Sequence, residues 1–152
     1  MSDPSPESQI AGFLAKYTPE MSAQAQEARA RMRALLPGAV EMVYDNYNAL
    51  VFGFGATDRA SEAVVSLAIL PRWVSLCFLQ DAATLPDPEN RLLGEGKVAR
   101  HVVLKDPSTL EEPAVRDLLA HAIGRSAKPM PDSPPGRVLI KSISAKQRPR
   151  RP

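Results

Sequence analysis

The chain has 152 residues, enough for one domain and a tail, and its 44% hydrophobic content is enough to build a core. Its single cysteine, Cys77, excludes an internal disulfide, fits a reducing compartment and, beside only two histidines, leaves no CxxC or Cys/His cluster. The net charge of +2 is unevenly placed: residues 1–127 hold 12 Lys and Arg against 16 Asp and Glu, and residues 128–152 hold seven against one, so an acidic body precedes a basic tail.

The opening MSDPSPESQ is polar and acidic, unlike a signal or transit peptide. No apolar run approaches the length of a membrane span, so no membrane partner is expected and the expected location is the cytoplasm. A first helix is predicted over residues 6–17, capped by Ser5 and started by Pro6, with Ile10, Phe13, Leu14 and Tyr17 on one face. A second helix follows Thr18 and Pro19 and ends at Pro37-Gly38. Met21, Ala25, Ala28, Met32 and Leu35 form its buried stripe, and Arg29, Arg31 and Arg33 suit its C-terminal half.

The period then changes from 3.6 to 2. Val40, Met42 and Tyr44 alternate with Glu41, Val43 and Asp45; after a turn at 45–48, Leu50, Phe52 and Phe54 alternate with Val51, Gly53 and Gly55. Residues 64–70 and 73–79 are joined only by Pro71-Arg72, a connection that forces an antiparallel hairpin. Val65, Leu67, Ile69, Val74, Leu76 and Phe78 are its predicted core residues. Residues 80–97 read as a polar excursion, 98–104 as a fifth strand, and 113–126 as a last helix with Val115, Leu118, Leu119, Ala122 and Ile123 on one stripe.

Together these elements predict an α+β fold: a mostly antiparallel sheet of about five strands covered by N-terminal and C-terminal helices, plus a basic C-terminal tail. The expected division is a domain at 1–127 and a proline-rich linker with the tail at 128–152. Residues 138–143 are a short β-like run whose pairing the pattern leaves open, and residues 146–152 are expected to be mobile.

Catalytic patterns are sparse. His101 and His121 lack a metal-type partner spacing and read as solvent-facing or half-buried histidines. Cys77 falls on the sheet face opposite Leu76 and Phe78 and reads as a small packing residue. Gly94-Glu95-Gly96-Lys97 is not a phosphate loop, because a strand follows it instead of a helix. No catalytic residue and no metal ligand is nominated, and no cofactor is specified.

Two constellations remain. Tyr44, Asp45, Tyr47 and Asn48, with Arg72 and Trp73, are candidates to line a small-ligand cleft, the competing reading being an Asx turn whose tyrosines cover a sheet edge. Lys97 and Arg100, beside the glycine-flanked loop, complete the candidate ligand set. In the tail, Lys141, Lys146, Arg148, Arg150 and Arg151 are candidates to contact nucleic acid or an acidic protein partner, though no stacking aromatic accompanies them. The primary expectation is a non-enzymatic binding domain carrying a small ligand or metal ion; the alternative is an interaction module working through the tail.

The chain from residue 10 to 123 resembles the YdhG-like family, a bacterial domain of unknown function. The matching stretches are Phe13-Leu14-x-x-Tyr17-x-Pro19, Leu36-Pro37, Trp73-Val74-Ser75-Leu76-x-Phe78, and Leu92-Leu93-Gly94-Glu95-Gly96-Lys97-x-x-Arg100-His101-Val102. The resemblance implies helices packed on one antiparallel sheet. Some members are described as frataxin-like iron chaperones, a role that uses a carboxylate ridge on a helix and the neighbouring strand. This chain departs from that pattern, because its second helix sets only Glu20 and Glu27 against three arginines.

Overall fold

The computed structural model describes residues 4–152, so the first three residues of the polar opening lie outside it. Three helices, α1 (Pro6–Leu14), α2 (Pro19–Leu35) and α3 (Pro113–Gly124), each begin on a proline, whose missing N–H would have no partner in a first turn anyway. Ser5 and Thr18 cap α1 and α2, accepting from the amides of Ser8 (3.1 Å) and Met21 (3.3 Å). α1 stops three residues short of its expected end. Tyr17 leaves the helix and is buried, its hydroxyl donating to the Ile69 carbonyl (2.5 Å) and accepting from the Leu50 amide (3.2 Å).

The strands are β1 (Val40–Asp45), β2 (Leu50–Gly55), β3 (Ala63–Ile69), β4 (Val74–Phe78), β5 (Arg100–Leu104) and β6 (Val138–Ile143). They form one sheet in the order β5-β4-β3-β2-β1-β6. Five strands become six, because the β-like run at Val138–Ile143 pairs with β1. Every neighbour is antiparallel except β1 and β6, which run parallel, so the sheet is mixed.

Helices cover one face. Leu50, Phe52 and Phe54 of β2, Val65, Leu67 and Ile69 of β3, and Val74, Leu76 and Phe78 of β4 share a buried core with Phe13, Met32, Val115 and Leu118. All six expected hairpin residues are in that core. Period 2 places Glu41, Val43 and Asp45 of β1 on this inner face, so two carboxylates point into the protein. Glu41 receives Arg29 of α2 (Nε to Oε2, 2.8 Å), and the same guanidinium holds both oxygens of Glu7 on α1 (2.8 Å each). Arg29, expected only as a cation suited to the C-terminal half of its helix, is the buried junction of α1, α2 and β1.

Residues 125–137 return the chain from α3 to the start of β1. Two glycines permit the close passage: a Cβ on Gly38 would lie 2.5 Å from the Pro131 carbonyl oxygen, and one on Gly136 would lie 2.1 Å from that of Ala39. β6 then runs beside β1 and delivers the last residues to the end of the sheet formed by the β1–β2 and β3–β4 turns.

Candidate functional site

The terminal residues, expected to be mobile, are tied to that end of the sheet. Asp45, fully buried at the end of β1, accepts from Arg150 (Nη2 to Oδ1, 3.0 Å) and from Lys16 just after α1 (Nζ to Oδ2, 2.7 Å). Arg150 also donates to the carbonyls of Asn46 (2.5 Å) and Tyr47 (3.3 Å), and its guanidinium lies 5.9 Å from the Tyr17 ring centre. The Arg148 amide donates to the Tyr47 carbonyl (2.9 Å) and the Ser144 amide to the Asp45 carbonyl (2.9 Å). Arg151 reaches the carbonyls of Lys16 (3.2 Å) and Ala15 (3.5 Å), where a cation complements the end of α1. Burial alone would raise the Asp45 pKa, but the hydrogen bonds from Lys16 and Arg150 outweigh it and hold the carboxyl below its ordinary value.

Docking the tail creates a cleft of about 710 Å³. One wall is the β3–β4 hairpin, Leu70, Pro71, Arg72 and Trp73, closed by a hydrogen bond from the Leu70 amide to the Trp73 carbonyl (2.9 Å). Arg148, Pro149 and Pro152 of the tail and Asn48 of the β1–β2 turn complete the lining. The volume suits a small ligand, and the lining mixes apolar walls with few polar groups. No Asp or Glu side chain lines it. Among the described residues, the side chains of Asn48, Arg72 and Arg148 make no hydrogen bond, and the two guanidiniums have no salt bridge. Trp73 is 41% exposed, unusual for so large an apolar surface.

The candidate residues thus separate. Asn48, Arg72 and Trp73 come together, and the tail adds Arg148. Asp45 is adjacent but buried and committed to two cations. Tyr47 is exposed beside the cleft and contributes its carbonyl to the tail's anchorage. Tyr44 lies on the opposite sheet face with Met42 and Leu139. Lys97 and Arg100 are at the far end of the sheet: Arg100 opens β5 opposite Phe78, which ends β4, and its side chain donates to the Gly96 carbonyl (2.8 Å). Of the tail cations, Arg150 is consumed by Asp45, and Lys141 donates to the Asp58 carbonyl (2.9 Å). Lys146 is exposed.

On the helix-free face, Cys77 and His101 are direct cross-strand partners. Burial pushes the Cys77 thiol up, against a bond with Ser66 that lowers it, which is opposite to what a nucleophilic thiolate needs. Among the described residues, no three His, Cys, Asp or Glu side chains gather to hold a metal ion, and no helix is long and apolar enough to cross a membrane.

Comparison with known proteins is silent: no family model, curated protein or solved structure matches the chain.

Proposed function

We propose that the protein is a non-enzymatic binding domain that takes a small anionic ligand in the cleft between the β3–β4 hairpin and the docked tail. The observation that carries this reading is the pair of guanidiniums, Arg72 and Arg148, facing one cleft without a carboxylate partner among the described residues. A guanidinium fork matches phosphate and carboxylate oxygens, and two forks lining one cleft supply two such donors to an anion bound there. The likeness to the YdhG-like family stands within the same proposal, supported by the residues quoted for it and carrying no ligand with it.

The alternative, a mobile basic arm for nucleic acid or an acidic protein, is disfavoured by the engagement of Arg150 and Arg151 with the body. The test is an NMR titration of the full chain with phosphorylated and carboxylated small molecules. The expected result is saturable shifts at Arg72, Trp73 and Arg148 that weaken at high salt and vanish in an Arg72→Ala, Arg148→Ala double variant. Unmoved resonances at those three residues across the whole series would sink the reading.

A further inference from the structure

Four chemical features meet in this cleft, and an anion accounts fully for only one of them. Arg72 and Arg148, from the hairpin and the tail, supply charge. Trp73, 41% exposed, presents an indole to the cleft. Pro149 and Pro152 are rigid rings in the same lining, so a flat group entering there meets aliphatic as well as aromatic surface. Asn48 brings an amide whose donor and acceptor are both unused among the described residues.

A bare phosphate or a small carboxylate would leave the indole idle and use only the donor side of the amide. A flat heterocycle uses both: its ring stacks on tryptophan, and its edge carries the donors and acceptors that an Asn amide matches. The heterocycle must be joined to an anionic group that reaches the guanidiniums. We infer that the ligand is a nucleoside phosphate, its base stacked on Trp73 and its phosphate held by Arg72 and Arg148. This rests on the anion-binding reading above and narrows it. The same chemistry is offered by a free nucleotide and by the terminal nucleotide of a single strand. A continuous strand needs a longer basic track than the engaged tail cations leave.

Trp73 is the only tryptophan in the chain, so its fluorescence reports on this cleft alone. The experiment titrates the full chain with adenosine 5′-monophosphate, ribose 5-phosphate and a short single-stranded oligoadenylate, by fluorescence and by calorimetry. The expected result is saturable quenching by adenosine monophosphate, with ribose 5-phosphate weaker by about ten-fold, the loss of one stacked base. Trp73→Leu, a change at an exposed turn, should remove that difference in calorimetry, and Trp73→Phe should restore part of it. Equal affinity for the two monophosphates, both lost in Arg72→Ala, overturns the nucleoside inference and leaves the anion cleft standing. Adenosine monophosphate binding that is absent, or that survives the arginine substitutions, overturns both. Within a positive result, tighter binding of the oligonucleotide assigns the strand end as the source, and equal or weaker binding assigns the free nucleotide.

Discussion

Asp45 and Arg150, 105 residues apart in the chain, meet 3.0 Å apart in the interior, one at the end of the first strand and the other two residues from the last residue. The pair is buried on both sides, and Lys16 supplies a second cation to the same carboxylate. Removing one partner of a buried ion pair leaves an uncompensated charge, which costs more than the pair contributes when intact.

Arg150→Ala should therefore destabilise the fold by about 2–3 kcal/mol, below the usual range for a broken buried pair because Lys16 remains. It should also release residues 144–152, whose amide bonds to Asp45 and Tyr47 depend on that anchor. Urea unfolding gives the first quantity, and hydrogen exchange at the Ser144 and Arg148 amides gives the second. Unchanged protection of those amides would contradict the anchoring role.

Acid should act through the same carboxyl. The folded Asp45 pKa is depressed below its ordinary 3.8, so its contribution to stability is fully present above that value and is lost as pH falls through the lower folded value. Glu7 adds a slope of the same sign below 4.5, because its hydrogen bond from Arg29 outweighs partial burial. Denaturant midpoints measured from pH 2 to 7 should fall below about pH 4, and Asp45→Asn should flatten that limb.

The Arg29 junction behaves differently from a surface ion pair. Arg29→Ala strands the buried Glu41 carboxylate, whose next cation, Arg33, is 3.8 Å away and half in solvent. The expected cost is about 3 kcal/mol. Coupling the change to Glu41→Gln should recover a large part of it, because the orphaned charge is then gone. Equal stability of the single and double variants would show that the charge is not the cause.

In the centre of the sheet, Leu67 is fully buried on β3 between β2 and β4. Leu67→Ala should cost about 2–5 kcal/mol through lost transfer energy and the cavity left behind. The cleft lies in a turn region, so Arg72→Ala should change stability by less than about 0.5 kcal/mol. The contrast between the two, read by thermal unfolding, separates the framework from the proposed site.

Much of this framework is legible in the residues. The two-residue Pro71-Arg72 connection fixes an antiparallel hairpin, and strict alternation on either side fixes which residues it buries. The turn also exposes Arg72 and Trp73, so their association with Asn48 follows from the β1–β2 turn lying at the same end of the sheet. Parity alone separates Tyr44 from Asp45, since neighbours on a strand face opposite ways. Antiparallel counting places Arg100, which pairs with the last residue of β4, away from Trp73 before the first.

The tail is illegible for a different reason. A parallel partner about a hundred residues away leaves no local trace, and a string of arginines reads the same whether one of them is buried or none. The signal lies elsewhere, in β1. Once Val43 faces inward, Glu41 and Asp45 must face inward too, and each buried carboxylate requires a cation. Arg29 and Arg150 satisfy those two requirements from elements far apart in the chain.

The parallel pairing of β1 with β6 also sets an order of events during synthesis. β1 finds β2 almost at once, but its other edge must wait for Val138–Ile143, about a hundred residues later in the chain. Until then the nascent chain carries an open strand edge and a carboxylate with one of its two cations missing, the kind of edge that pairs with strangers. The cleft does not exist in that interval, since Arg148, Pro149 and Pro152 form one of its walls. A polypeptide without residues 138–152 would lose β6 and three of the residues that line the cleft.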